Sequence, residues 1–375
     1  MRPRGKTSNH SSPCLVSIFG KLDSIKEHGL DREFKSFYAK FRGITAMSLE
    51  MEAIRFSEYG DPHNFSLEKV DLPNPVAGEI QIRHLAIGVN YIDIYHRKGV
   101  FAPKLPLPSG LGVEGVGIVT SVGSGVSHFE VGQRIAYVGG PAGAYATHRN
   151  LPAARALAVP DGLSTENVAA LIFKGLTAEY LIHRCVPIAA GDVVLFHAAA
   201  GGVGSIACQW LRHIGASTIG TVGSEEKAEI SRRNGCDHVI IYTQDDFQTR
   251  VAEITGGQGV RVVYDSVGKT TFYKSLDCLH PRGTLVSFGE SSGPIDPLPI
   301  PILGGKGSLF VTRPSIAHYT ADRREYEVAA HHLFDAMANH VITAPHVTAY
   351  PLHDAARAHR DMEDRRTTGS IILIP

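Results

Sequence analysis

The sequence predicts an α/β protein in which a β-rich, barrel-like part is followed by a doubly wound parallel sheet. Three observations carry that expectation. From Met51 to about Leu157, short strand-like runs such as "EIQIRHLAIGVN", "GVEGVGIVTSVGSGV" and "VGQRIAYV" are broken by Gly and Pro, with no long helical period. From about Thr165 to Ser308, strand-like and helix-like segments alternate, as βαβ units require. Within the second stretch, "VVLFHAAAGGVGSIACQWLRHIGA" (Val193 to Ala216) passes from strand through a knot of small residues into helix.

Length and composition set bounds. The 375 residues suffice for two domains with full cores, and 43% hydrophobic with 20% charged residues reads as globular. Lys+Arg and Asp+Glu both total 37, so no overall charge draws the chain to nucleic acid or an anionic membrane. The five cysteines, Cys14, Cys185, Cys208, Cys236 and Cys278, form no C-x-x-C pair. That argues against a structural zinc lobe or a disulfide framework and fits a reducing, cytoplasmic setting. No apolar run reaches the roughly 18–20 residues of a membrane span.

Residues 1–48 read differently. Arg2, Arg4, Lys6 and Lys21 come with Ser and Asn and no acid before Asp23. This is faintly like an organellar presequence, or the result of an upstream start, with the functional chain beginning near Met47 or Met51. They are set aside as an extension.

Taken in order, the strand-like "EAIRFSEYG" opens the β-rich part. Val193-Val194-Leu195-Phe196 is a buried strand that stops at Ala198. Val203, Ile206, Ala207, Trp210, Leu211 and Ile214 then recur at helical spacing, with Gly215 placed to end the helix. The turn between them, Ala199-Ala200-Gly201-Gly202-Val203-Gly204, is a G-x-G-x-x-G fingerprint with alanine in the first place. Its small residues allow a tight turn, backbone access for a pyrophosphate and close helix–strand packing, while the helix start favours the negative charge. A tightly packed turn without a ligand is the alternative. "STIGTVG", "KAEISRRNG", "HVIIY", "RVVYDSVG", "TFYKSLDCL" and "GTLVSFG" continue the alternation, and "SSGPIDPLPIPILGG" is a loop. A helix near Arg323 to Asn339 and the strand "GSIILIP" close the chain, the strand returning to the β-rich part.

These features resemble the medium-chain dehydrogenase/reductase superfamily. "GVNYIDIYHRKGVF", "LPSGLGVEGVGIV", "KGLTAEYL", "VRVVYDSVG" and "VSFGESSGP" narrow the resemblance to its zinc-independent quinone oxidoreductases, related to zeta-crystallin, over Met51 to Pro375. The resemblance implies a GroES-like catalytic domain at 49–174 with 314–375, and a Rossmann-type NADP-binding domain at 175–313. Zinc-dependent members need a Cys and the His of a G-H-E stretch, where this chain has Asn90 and Gly112-Val113-Glu114, so a metal-free mechanism is expected. No H-E-x-x-H pair occurs, and His331-His332 reads as part of a surface helix.

An NAD-preferring fold carries an acid at the end of the second strand. Here the strand ends at Val222 and is followed by neutral Gly223 and Ser224. The resemblance gives Lys227 the 2′-phosphate of NADP(H), although Glu225 and Glu226 are awkward neighbours and Lys227 could equally be solvated. It also places Tyr180, Ala199, Gly201, Gly202, Val203 and Gly204 at the cofactor. Tyr242 falls at the adenosine side, Ser266, Phe288 and Gly289 at the cleft floor, and Arg313 and Arg365 at phosphate or amide groups. Glu290 stands where the family often has a neutral residue.

At the reacting centre, Asn90 could hold a carbonyl or the nicotinamide amide, and Tyr95 could give a proton or hydrogen bond to a developing quinol oxygen. Asp93 is read as ordering the loop. The three also fit a polar turn at a strand end, with Tyr95 a packing residue. Phe101 replaces a tyrosine common in relatives. The expected activity is NADPH-dependent reduction of a quinone, with enal or enone C=C reduction, or an NADPH-binding structural or RNA-binding role, as alternatives. A homodimer is expected.

Overall fold

The computed structural model describes residues 48–100, 102–344 and 346–375; residues 1–47, Phe101 and Cys14 with them, lie outside the described residues. Leu49–Pro375 forms one unit.

Its first part holds strands β1 (Leu49–Phe56), β2 (Ser66–Leu72), β3 (Glu79–Val89), β4 (Ser109–Gly110), β5 (Glu114–Val122), β6 (Arg134–Val138), β7 (His148–Pro152) and β8 (Ala156–Ala158). β1 pairs antiparallel with β2 and β4. β3 pairs antiparallel with β5 and β7, and β5 with β6. Where a polar turn is expected after β3, the chain forms helix α1 (Tyr91–Lys98). β15 (Val347–Pro351) and β16 (Ser370–Ile374) extend the same sheet, because β16 pairs antiparallel with β3. The final strand thus returns to the first part, as its apolar run suggests.

The second part is a six-stranded sheet of β9 (Val193–His197), β10 (Ser217–Val222), β11 (His238–Ile241), β12 (Val260–Asp265), β13 (Leu279–Ser287) and β14 (Phe310–Thr312). Every pairing is parallel, in the order β11-β10-β9-β12-β13-β14. This doubly wound order reverses between β9 and β12, and ligands of such sheets bind outside the carboxyl ends at that point. The crossovers include α3 (Gly202–Ile214), α4 (Glu225–Arg233), α5 (Phe247–Ile254) and α6 (Phe272–Asp277). β9 and β12 are buried almost throughout, because helices cover both faces.

Helix α2 (Thr165–Glu179) joins the two sheets. Ser164 caps it, its hydroxyl accepting the Asn167 N–H at 3.2 Å. Val168–Ile172 and Lys174–Glu179 are all buried, since α2 packs on α3, β3 and α9 (Arg323–Ala338) together. A helix apolar on nearly every side has no single stripe to read. Short helices α7 (Pro301–Gly305) and α8 (Ile316–Tyr319) precede α9, and α10 (Ala355–Glu363) precedes β16.

Candidate active site

The expected cofactor residues of the second part gather where its strands end. Ala199 follows β9, Gly223 and Ser224 follow β10, Tyr242 follows β11, Ser266 follows β12, Phe288 and Gly289 follow β13, and Arg313 follows β14. Parallel pairing puts all six carboxyl ends on one edge of the sheet.

At the fingerprint, the left-handed residue is Ala198 (φ +55°), one place before the fingerprint begins. The Gly201 N–H donates to the Ala198 carbonyl at 2.8 Å, and α3 starts at Gly202. A Cβ on Gly204 would lie 2.5 Å from that carbonyl oxygen, so close helix–strand packing requires glycine there. The first-turn N–H groups of α3, around Gly202, Val203 and Gly204, have no acceptor within the helix.

After β10, the Ser224 hydroxyl accepts the Lys227 N–H at 3.4 Å and caps α4. The Tyr242 phenol stands over this turn, where a Cβ on Gly223 would lie 2.7 Å from its oxygen. Glu225, one of the acids flanking Lys227, pairs with Arg232 at 2.8 Å. The turn after β12 packs on the loop after β13, with the Ser291 N–H donating to the Ser266 carbonyl at 3.2 Å. Arg313 Nη1 donates to Ser287 Oγ at 3.0 Å and lies 3.3 Å from Glu290 Oε1.

Two expected cofactor residues do not follow strands of this sheet. Tyr180 is 2% exposed and stacks beneath Tyr319, with centroids 4.6 Å apart and planes at 14°. Tyr319 covers one face of its ring, and the Arg313 charge reaches its phenol. Arg365, left-handed at φ +58°, is exposed just past α10, and its side chain makes no ion pair or hydrogen bond among the described residues. Its charge reaches Tyr91 and opposes the burial that pushes that phenol's pKa up.

In the first part, Asn90 precedes α1 in extended conformation (φ −132°), and its N–H donates to Asp93 Oδ2 at 2.9 Å. Asp93 is fully buried, and the same oxygen accepts the Tyr145 hydroxyl at 3.0 Å. Tyr145 Oη also meets His359 Nε2 at 3.0 Å. With its one proton given to Asp93, Tyr145 must accept from Nε2–H, which fixes the histidine tautomer. Burial pushes Asp93 up to about 7 and His359 down to about 3. Asp93 therefore orders the start of α1 and does not face the cleft.

Tyr95 is the phenol of α1 that reaches the strand-end edge. Its oxygen accepts the Glu290 N–H at 3.2 Å, leaving its own proton to give. Burial raises its pKa and keeps that proton in place. Tyr91 meets the Tyr95 ring edge-on at 5.5 Å, an i, i+4 pairing whose spacing could have marked it in advance.

A buried chain of polar groups ties this region to the fingerprint. Asn90 Nδ2 donates to Glu114 Oε1, while Glu114 Oε2 accepts the Phe173 N–H at 2.9 Å. Lys174 Nζ donates to the Val89 carbonyl at 3.2 Å and lies 3.9 Å from Glu114. A Cβ on Gly202 would come 2.7 Å from Lys174 Cδ. Burial lowers the Lys174 pKa and raises that of Glu114, while their mutual attraction opposes both shifts. Lys174 opens "KGLTAEYL", and a lysine set in the apolar run from Val168 to Leu176 is the signal in the sequence for this role.

Val113, where zinc-dependent relatives carry His, is buried in the core. His331 and His332 are exposed on α9, with His332 3.3 Å from Glu179. Among the described residues, no group of three or more His, Cys, Asp or Glu is placed to hold a metal.

Comparison with known proteins agrees with this architecture. The alcohol dehydrogenase GroES-like domain family matches residues 76–184, and the zinc-binding dehydrogenase family residues 202–332. Quinone oxidoreductase 1 of Escherichia coli (strain K12) is 46% identical over 324 residues, covering 86% of this chain and 99% of the relative. A 2-haloacrylate reductase from Burkholderia sp is 46% identical over 321 residues, covering 84% and 96%. The solved structure of E. coli quinone oxidoreductase complexed with NADPH superposes with a TM-score of 0.84 at 46% identity, over 86% of this chain and all of that one.

Proposed function

From the premise that this chain belongs to the quinone oxidoreductase family of medium-chain dehydrogenases/reductases, we propose that it reduces quinones and similar conjugated carbonyl acceptors with NADPH. The observation that carries the reading is the Tyr95–Glu290 contact, which sets the phenol of α1 at the strand-end edge beside Phe288, Gly289 and Arg313. The cofactor, when bound, supplies the hydride.

The residues present fit that cofactor. The first turn of α3 would hold the pyrophosphate, supported by the small residues Ala199 to Gly204. Ser224, Lys227 and Tyr242 would hold the 2′-phosphate end, with Glu225 drawn to Arg232. Ser266, Phe288 and Gly289 form the cleft floor, and Arg313 lies beside it. Lys174 and Glu114 fix Asn90, so the strand carrying the catalytic segment is held to the fingerprint. Tyr95 holds a proton at its oxygen and gives it to the acceptor oxygen as charge develops there. Asp93 is a positioning residue. An amide at Asn90 and an aliphatic side chain at Val113 offer no thiolate or imidazole, which supports hydride transfer without catalytic zinc.

The assignment of 49–174 with 314–375 to the GroES-like part and 175–313 to the cofactor part is supported by the β16–β3 pairing. No helix among the described residues is long and apolar enough to cross a membrane. Four free cysteines among those residues support a reducing, cytoplasmic setting. Among the described residues β14 is an edge strand, and with Phe310 60% exposed this supports pairing with a second copy. Light scattering is expected to give the mass of two chains, and the mass of one would overturn the dimer.

The test is turnover of NADPH, with NADH in parallel, against 1,4-benzoquinone, a naphthoquinone, an enone and 2-chloroacrylate, before and after metal chelation. Chelator-insensitive quinone reduction that prefers NADPH supports the proposal. Turnover of only the enone or chloroacrylate moves the activity to C=C reduction, a reading favoured by the identity to the haloacrylate reductase. Tight NADPH binding with no turnover overturns both.

A further inference from the structure

Cys208 and Cys236 belong to different elements, one in the middle of α3 and the other just after α4, yet their sulfurs are 3.2 Å apart. Both are buried, Cys208 completely. The apolar side chains around them are Ala199, Ala200, Val222, Ala228 and Ile241, and the Asp237 charge also reaches Cys208. Strand β10 makes room for it: a Cβ on Gly220 would lie 2.8 Å from Cys236 Sγ. The other two described cysteines have no thiol partner; Cys278 donates to the Lys274 carbonyl, and Cys185 lies beside Tyr319.

We propose that Cys208 and Cys236 are a reversible disulfide site, closed by hydrogen peroxide. The sulfurs need to approach by only about 1.2 Å to reach the roughly 2.05 Å of a disulfide. In the first step one thiol attacks peroxide. The O–O bond breaks, that sulfur becomes a sulfenic acid, and the other oxygen leaves as water. In the second step the neighbouring sulfur displaces the sulfenic hydroxyl, which leaves as water with the second thiol's proton. Two thiols and one peroxide thus give one disulfide and two waters, with two electrons passing from sulfur to oxygen.

Hydrogen bonding to the Cys236 thiol, with burial, holds the Cys208 pKa well above its ordinary value, so the first step is slow. The second is fast, because the partner is already in contact. Only a small oxidant can enter this apolar gap. In a reducing compartment the pair rests as thiols and closes under peroxide stress. Closure would tie the fingerprint helix to the far end of α4, the helix that carries Lys227 on its first turn, around β10 and its turn.

The test treats the full chain with excess hydrogen peroxide, then unfolds it in an alkylating agent. The expected result is a loss of two hydrogens in intact mass and a linked pair of peptides carrying Cys208 and Cys236, reversed by dithiothreitol. Cys236→Ala and Cys208→Ala, each checked for unchanged NADPH binding, must both abolish the link. The oxidised protein should melt higher by about 5 °C, reversibly, because the link closes a loop of 28 positions. Alkylation of both thiols when the peroxide-treated protein is unfolded overturns the proposal. So does oxidation of either to sulfinic acid, or a link between any other pair.

Discussion

Lys227 stands on the first turn of α4, after a strand end with no acid to bind a ribose hydroxyl. The spacing from the fingerprint made this residue legible. It could not show that Glu225 turns to Arg232, seven residues on, and leaves one fewer carboxylate free beside the lysine. Removing a charge-assisted phosphate contact costs about 1.5–3 kcal/mol. Lys227→Ala is therefore expected to raise KM for NADPH roughly tenfold or more and to leave KM for NADH unchanged; equal effects on both would sink the 2′-phosphate assignment. Tyr95→Phe is expected to lower kcat with quinone at least about tenfold without changing NADPH affinity. An unchanged kcat would reduce Tyr95 to packing. Its partner Glu290 lies 195 positions away, so only the folded chain puts the two together.

At the scale of elements, α1 departs most from its sequence. "NYIDIY" reads as a polar turn, because eight residues are too few to show a helical period. The helix forms because Asp93 accepts the Asn90 N–H at its start and Gly99, at φ +64°, closes its end. Asp93 also anchors Tyr145 and, through it, His359 of α10. Asp93→Ala would leave the Asn90 N–H and Tyr145 hydroxyl without their acceptor, at a cost of about 1–3 kcal/mol. We expect a lower melting temperature and a lower kcat with quinone, since Tyr95 loses its register, while KM for NADPH stays near that of the parent. Asp93→Asn, which keeps an acceptor oxygen, should restore most of the kcat. A failure of Asn to outperform Ala would remove Asp93 from positioning.

For the whole molecule, burial lowers several histidines in the folded state, among them His84 and His359 down to about 3, His183 down to about 4, and the fully buried His197. Below pH ~6.5 the unfolded chain protonates them and the folded chain does not. Their stabilising effect, complete above that pH, is lost as pH falls towards 4. Asp93 acts in the opposite sense: pushed up to about 7, it keeps its proton in the folded state and favours folding most below pH ~4. Asp93 and the raised Glu114 oppose them, but more buried histidines are lowered than carboxylates raised, so acidification below about pH 6.5 is a net loss of stability. The urea midpoint is expected to fall steadily from pH 7 to 5, and more steeply in Asp93→Asn. A midpoint flat across that range would contradict this balance.

The sequence by itself determined the alternation of strands and helices, the fingerprint turn, the neutral end of β10 and the return of the last strand. Each is written in local spacing, and local spacing survives without tertiary contacts. The tertiary structure decided which side chains meet: Tyr95 with the Glu290 N–H, Asn90 with Glu114, Glu114 with Lys174, Cys208 with Cys236, and Tyr180 with Tyr319. Those contacts join residues far apart in the chain. Among them, the Glu114–Lys174 pair exists because α2 is buried between two sheets, and a polar group carried into that interior must find its partner there.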